Sequence, residues 1–482
     1  MAGADRAARA RETDPLSTRP PSGVHWMFGR GSALRRSVLR HIVVLVIIAV
    51  ALPAVGAWAG PAMTTGHPAT DPLPLAARSA ILIDEASGRV LYEKNPDQAM
   101  VPASIAKLMT LHIVYQKLAD RTISRSDVVT LSSNAWANHQ APGSTVMNLG
   151  PGQIVTVQEL MLGVAIMSGN DAATALAEYT AGSTAAFVRM MNDEARFMGF
   201  TTMRFTDPAG VNPDNRVTAR EFAEFCRRYV ELHPEALREL HSQREFDYPL
   251  PQNMPGVRRS RLETRKQYNG NWLVWDGIGV DGLKTGHLDD QNFTAAITAR
   301  RGSTRLIAVL LGVPGKGLAD GARRRTEDSV TLLSWGFRGF STVALDAPSL
   351  PAVRVWKGSA GGVAVQPAEP VRLTLRQDER DDLTFMVLAR TPLVAPVYKG
   401  QQVGDLVYLA GTEEVGRIPL LADKDVAGAG PVRWAWDSLL LGVTTVAQDG
   451  AAVLQSALAA LHPAAVVSSS AGTGAAEDRK TP

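Results

Sequence analysis

The chain carries one cysteine, Cys226, in 482 residues. A single thiol excludes an intramolecular disulfide and any cysteine-built zinc site. It sits in Glu221-Phe222-Ala223-Glu224-Phe225-Cys226-Arg227, which reads as a helix holding a packed thiol. Histidine is also scarce, and none of the nine falls in an H-E-x-x-H or other metal-ligating spacing. Neither a metal nor another cofactor is implied. Charge of one sign is missing too: 50 Lys and Arg against 47 Asp and Glu leave +3, too small an excess to suggest nucleic acid. The apolar run from Ile42 to Leu52 is too short for a confident transmembrane span.

That run has flanks of its own. Arg30, Arg35, Arg36 and Arg40 precede it, and the small-residue string Ala57-Trp58-Ala59 follows it. This order is that of a secretory signal, here residues 1–59 with cleavage after Ala59. An uncleaved membrane anchor is the other reading, and export is expected on both. The segment before Arg30 is long for the basic region of a signal, and a start at Met27 would give a conventional one. Arg35-Arg36-Ser37-Val38-Leu39-Arg40 resembles a twin-arginine signal, but nothing here requires folding around a cofactor before export. The general secretory route is favoured.

A chain of this length holds more than one domain, and its 45% hydrophobic and 20% charged residues are those of a globular protein. Residues 60–76, rich in Pro, Gly and Thr, read as a linker. From 77 to 345 the pattern is α+β. Ala80-Ile81-Leu82-Ile83-Asp84 and Val90-Leu91-Tyr92 form a predicted hairpin, followed by a mostly helical stretch. That stretch includes a helix over Val157 to Met167, one from Ala172 to Thr180, and one opened by a capping box at Thr218-Ala219-Arg220-Glu221. Strands are predicted again at Leu273-Val274-Trp275, Val280 to His287, Phe293 to Ala299 and Leu306 to Gly312. A helix from about Arg325 to Gly336 closes the domain. Strands at both ends with helices between them imply one sheet with a helical subdomain inserted. Residues 350–426 read as a small all-β domain, with short strands between Pro and Gly turns. Residues 428–462 carry apolar side chains at helical spacing, with Trp434 and Trp436 suited to a membrane interface. A helix packed on the β-domain is the competing reading, because Arg433 is the only cation there. Residues 463–482 read as a disordered tail.

The chemistry lies in three short strings. In Pro102-Ala103-Ser104-Ile105-Ala106-Lys107, helical spacing projects Ser104 and Lys107 from one face, within reach of each other. A serine hydroxyl is a poor nucleophile without a base, and a lysine kept neutral by burial or nearby positive charge can be that base. Ser104-x-x-Lys107 alone could occur on any helix. Downstream stand Ser168-Gly169-Asn170, where a helix stops, and Lys284-Thr285-Gly286, inside a predicted strand. The three strings in this order form the motif set of class A β-lactamases and penicillin-binding proteins.

The chain therefore resembles the D-alanyl-D-alanine carboxypeptidases, the low-molecular-mass penicillin-binding proteins of the S11 serine peptidase family. The resemblance runs from Ala80 to about Asp425 and takes in Val280-Asp281-Gly282-Leu283-Lys284-Thr285-Gly286-His287, Leu332-Leu333-Ser334-Trp335-Gly336-Phe337 and Val355-Trp356-Lys357-Gly358. It implies a penicillin-binding-protein/β-lactamase-like transpeptidase domain, a small all-β domain and a C-terminal amphipathic helix. It also implies removal of the terminal D-alanine from peptidoglycan pentapeptides through an acyl-enzyme on Ser104. Lys107 would be the base, Ser168 the proton relay and Asn170 a ligand of the substrate amide. Thr285 and Lys284 would hold the substrate carboxylate. Lys284 would also help to keep Lys107 neutral. The N–H groups of Ser104 and of His287, just after Gly286, would form the oxyanion hole. Arg325 would lie near the terminal carboxylate, unless it is a solvated arginine in the Arg323-Arg324-Arg325 run. The implied partners are peptidoglycan, β-lactam antibiotics as covalent inhibitors, and the periplasmic face of the cytoplasmic membrane.

Two departures from the family pattern stand at the rim. Leu288-Asp289-Asp290-Gln291-Asn292 replaces a Thr and an Ala-Gly pair, and Asn269-Gly270-Asn271 stands where an arginine is common. Three alternatives are weaker. A β-lactamase would want a deacylating Glu and would have no need of the β-domain. A DD-endopeptidase would cut crosslinked peptidoglycan by the same chemistry. An idle wall-binding protein would not need Ser104, Lys107 and Lys284.

Overall fold

In the computed structural model, residues 73–254, 256, 263–390 and 392–441 are described. The predicted strands assemble into one antiparallel sheet in the order Val90–Lys94, Ser79–Asp84, Thr304–Val313, Phe293–Arg301, Val280–His287. The two ends of the domain thus meet at the centre of the sheet. Side chains alternate across a strand, so each central strand feeds two cores. Ile81, Ile83, Ile307 and Val309 join the helical subdomain, while Ala80, Leu82, Leu306 and Ala308 pack on the opposite side. That second side is covered by the helix Leu318–Gly339, through Leu332 and Leu333. Gly336 permits the close approach: a Cβ there would lie 2.6 Å from Leu82 and 2.7 Å from Leu306.

The helical subdomain comprises Lys107–Ala119, Asn170–Ala181, Thr184–Phe197 and Ala219–Leu232, with their apolar faces in one core. Cys226 is buried there, and burial raises its thiol pKa well above the usual value.

Three local expectations need correction. Leu273-Val274-Trp275 is not a strand but part of a 3-10 turn, Trp272–Trp275. Asn271 decides this, since its Oδ1 accepts from the Leu273 N–H and its amide donates to the Gly282 carbonyl. At Thr218 only half of the capping box forms. Thr218 accepts from the Glu221 N–H, but the Glu221 carboxylate turns away to the N–H groups of Thr201, Thr202 and Met203. A complete box stands at Thr156 and Glu159 instead. The closing helix starts at Leu318, two turns before Arg325, which places that arginine inside the helix.

The second domain is built on a four-stranded antiparallel sheet, ordered Val365–Pro367, Glu413–Ala422, Gln402–Ala410, Leu383–Ala389. It is joined to the first by the strand pair Ser341–Ala344 with Arg372–Leu375, and by Arg89. The Arg89 guanidinium, 2% exposed, grips Glu379 with two bonds of 2.7 and 2.6 Å. It also reaches Glu413 at 2.8 Å and the Thr374 carbonyl at 2.9 Å. Such a bidentate pair fixes direction as well as distance.

Residues 431–441 are helical. Asp437 accepts from the Lys357 backbone N–H at 2.6 Å, and the Lys357 ammonium lies 4.4 Å from the Trp434 ring centre. Among the described residues no helix is long and apolar enough to cross a membrane. The predicted signal segment, most of the linker, the rest of the amphipathic stretch and the tail lie outside the described residues.

Candidate active site

Ser104 lies on a 3-10 turn, Ala103–Ala106, that runs directly into the helix beginning at Lys107. The residue before it, Ala103, has φ +49°, a conformation unfavourable for a side-chain-bearing residue and typical of functional turns. Gly210 packs against this turn so closely that a Cβ on it would lie 2.0 Å from the Ala103 carbonyl oxygen.

Lys107 is fully buried. Its Nζ stands 3.0 Å from Ser104 Oγ, 2.7 Å from Asn170 Oδ1 and 2.7 Å from the Ala209 carbonyl oxygen. Two of these partners can only accept hydrogen bonds; the hydroxyl can also donate. A neutral amine has two N–H bonds and one lone pair. With both N–H bonds committed to Asn170 and Ala209, the lone pair is left for the Ser104 proton. Burial brings the Lys107 pKa down from 10.5 to about 7, against Asp207 and Asp171, which raise it. Burial, rather than the charge of Lys284, is the chief cause.

Ser168 ends its helix in a left-handed conformation, φ +64°. Its Oγ is buried without a hydrogen-bond partner among the described residues. Asp171 secures the adjoining loop, its carboxylate accepting from the N–H groups of Met147 at 2.8 Å and Leu149 at 3.0 Å.

The Lys284-Thr285-Gly286 string lies on the edge strand Val280–His287, beside the Ser104 turn. A Cβ on Gly286 would sit 2.8 Å from the Ser104 backbone N and 2.5 Å from Thr294 Oγ1. Only glycine leaves that space open. Lys284 is buried, with Nζ donating to the Thr285 carbonyl at 3.0 Å. Its pKa falls well below 10.5, through burial first and then the charges of Lys107 and Arg325. Thr285 Oγ1 donates to the Gly270 carbonyl at 3.1 Å. His287 packs its ring 4.3 Å from that of Phe293, and burial lowers its pKa.

Arg325 is buried, not solvated, and its Nη1 donates to the Gly286 carbonyl at 3.1 Å. Burial depresses it to about 10, and no carboxylate among the described residues pairs with it. An anion would relieve both Arg325 and Lys284.

Ser104, Lys107 and Asn170 are thus joined by direct hydrogen bonds; Gly286 packs against the Ser104 N–H, and its carbonyl accepts from Arg325. Ser168, Lys284, Thr285 and His287 are on neighbouring segments, and among the described residues none of them is hydrogen-bonded to the Ser104–Lys107 pair. Sequence reasoning missed the Asp207 turn. Its carboxylate accepts from the N–H groups of Ala209 at 2.8 Å and Gly210 at 2.6 Å, presenting the Ala209 carbonyl to Lys107. Asp207-Pro208-Ala209-Gly210 carries a turn signal, but not which side chain the turn would meet. His241 was missed as well. It is buried with a pKa lowered to about 3 by burial, so it is neutral, and Nδ1–H donates to the Leu283 carbonyl at 3.0 Å while Nε2 accepts from Tyr229.

Comparison with known proteins shows the family and the fold. A family described as D-alanyl-D-alanine carboxypeptidase matches residues 64–315, and one described as penicillin-binding protein 5, C-terminal domain, matches residues 348–427. The chain is 35% identical over 372 residues to the D-alanyl-D-alanine carboxypeptidase DacC of Escherichia coli K12, covering 76% of this chain and 88% of that one. It is 32% identical to DacA of the same strain, over 73% of this chain and 83% of that one. The crystal structure of penicillin binding protein 5 from Haemophilus influenzae superposes with a TM-score of 0.64 at 31% identity, covering 74% of this chain and all of that one.

Proposed function

The chain belongs to the D-alanyl-D-alanine carboxypeptidase family, and from that membership we propose how its residues release the terminal D-alanine from a peptidoglycan pentapeptide. Ser104 Oγ attacks the carbonyl between the two D-alanines while its proton passes to the Lys107 lone pair. The oxyanion is held by the N–H groups of Ser104 and His287, in the space that Gly286 leaves open. The C–N bond breaks as the proton reaches the leaving amine by way of Ser168. The result is an ester on Ser104 and free D-alanine. Water then attacks the ester, with Lys107 accepting its proton, and Ser104 is restored. Lys284, Thr285 and Arg325 bind the terminal carboxylate. Asn170, whose Oδ1 is engaged by Lys107, turns its amide hydrogens to a substrate carbonyl. β-Lactams acylate the same serine.

The observation that carries this reading is the placement of Lys107 Nζ between two pure acceptors and the Ser104 hydroxyl. The protein would be incubated with a pentapeptide muropeptide and with a crosslinked dimer, beside Ser104→Ala. Free D-alanine from the pentapeptide, absent in the variant, is expected. Cleavage of the dimer alone would make the enzyme an endopeptidase.

The site of action follows from the substrate: the exported protein works on the outer side of the cytoplasmic membrane. A peripheral anchor at the C-terminus is supported by Val432, Trp436 and Leu439, exposed at helical spacing on residues 431–441. The opposing reading draws on Asp437 and Trp434, which tie the first turns to the β-domain. Deleting the chain from Gly428 should move the protein from the membrane to the soluble fraction. Unchanged fractionation would favour the packed helix.

A further inference from the structure

Next to Thr285 the chain presents aromatic surface that release of D-alanine does not use. Trp272 is 58% exposed and Tyr268 50% exposed. Both rings flank the half-buried Trp275, with centroids 6.5 and 6.4 Å from it, and the Arg244 guanidinium lies 5.2 Å from the Trp275 ring. Single exposed aromatics are unremarkable on a protein surface. These are grouped, and they are held.

The holding is done by two buried asparagines. Asn269 donates to the carbonyls of His241 at 3.0 Å and Gln243 at 2.8 Å, and accepts from the Asn271 N–H at 2.8 Å. Asn271 caps the turn that carries Trp272 and is bonded to the Gly282 carbonyl. Between them, Gly270 accepts from Thr285 Oγ1 and donates its N–H to Ile166, two residues before Ser168. The backbone that carries the aromatic rim is therefore continuous with both walls of the pocket and is tied down by hydrogen bonds on both sides. Preorganised Trp and Tyr surface loses little freedom on binding, which is why such residues anchor interfaces.

We infer that Tyr268, Trp272 and Trp275 form a docking platform for N-acetylhexosamine rings of a glycan strand. The inference rests on the reading that the substrate is peptidoglycan. If Lys284, Thr285 and Arg325 take a terminal carboxylate, the substrate peptide ends there, and no further residue of it reaches the rim beyond Thr285. The other component of the polymer is its sugar backbone. A pyranose ring offers a flat C–H face to an aromatic ring and a border of hydroxyl and acetamido groups, for which Arg244 supplies a donor. The platform thus serves to park the enzyme on a strand while the pocket samples neighbouring peptide ends.

Isothermal titration of the full chain carrying Ser104→Ala, with tetra-N-acetylchitotetraose and with peptide-free glycan strands, tests this without any turnover. Saturable binding is expected, weakened at least tenfold by Trp272→Ala and largely restored by Trp272→Phe. Circular dichroism of each variant checks the fold. No binding of either probe, or equal binding by Trp272→Ala, overturns the inference. So does Trp272-dependent binding of a sugar-free crosslinked peptide dimer when the glycan does not bind, since the rim would then serve peptide. Failure of the D-alanine assay would leave these outcomes readable, because they measure binding alone.

Discussion

Acylation of Ser104 should follow the protonation of Lys107 between pH 5 and 8. The amine is held at about 7 by burial, so at pH 5 only about 1% of it is neutral, at pH 7 about half, and at pH 8 about 90%. The second-order rate of labelling by a fluorescent penicillin measures this step without interference from hydrolysis of the ester. It should rise roughly 100-fold from pH 5 to a plateau above 8. Asp207 raises the Lys107 pKa, so Asp207→Asn should move the rising limb to lower pH. A profile flat across that range, or a limb that moves upward in Asp207→Asn, would refute the reasoning. The same burial has a stability signature. The unfolded chain keeps this proton up to about pH 10.5 and the folded chain only up to about 7, so the lysine costs the fold about 5 kcal/mol below pH 7. That cost is relieved progressively as pH rises from about 7 to 10.5.

Three further outcomes are expected. Gly286→Ala should cost about 1–3 kcal/mol in unfolding, because its Cβ overlaps the Ser104 backbone and Thr294 Oγ1, and should lower the acylation rate about 100-fold or more, because the new methyl group crowds the Ser104 N–H. An acylation rate near wild type would remove Gly286 from the oxyanion site. Arg325→Gln should reduce kcat/KM for a free-acid pentapeptide by roughly 10- to 100-fold, the worth of one charged hydrogen bond, and leave the weak turnover of its C-terminal amide unchanged. Equal losses on acid and amide would deny it a role in carboxylate binding. Arg89→Met should cost about 1–3 kcal/mol in denaturant unfolding, because it leaves the buried Glu379 carboxylate with Arg376 alone, and Arg89→Met with Glu379→Leu should recover part of that loss. A single variant as stable as wild type would mean that the guanidinium is not what joins the domains.

Much of the fold was legible because hydrophobic period and turn chemistry agree along the chain. The strands Ser79–Asp84, Phe293–Arg301 and Thr304–Val313 read correctly since they are buried on both faces and bounded by turns. Leu273-Val274-Trp275 failed for the complementary reason: three apolar residues suit a strand or a tight turn, and Asn271 chose the turn through a carbonyl eleven residues away. The site was legible where its spacing is local, as at Ser104 and Lys107. Distant contacts were not: that Asn170 and Ala209 occupy the two N–H bonds of Lys107 depends on sequence separations of 63 and 102 residues. Arg325 marks the limit. Its three-arginine run looks solvated in sequence, yet one of the three turns inward because Leu332 and Leu333 fix the phase of the helix.

The grip of Arg89 on Glu379, Glu413 and the Thr374 carbonyl carries a mechanical consequence. A junction with a buried fork of charge at its centre resists hinging, so the second domain is fitted to act as a strut rather than a tether. Whatever holds its far end, Ser104 is kept at a constant standoff from that support. Were that far end held at a surface, the strut would set the height at which Ser104 meets peptide ends.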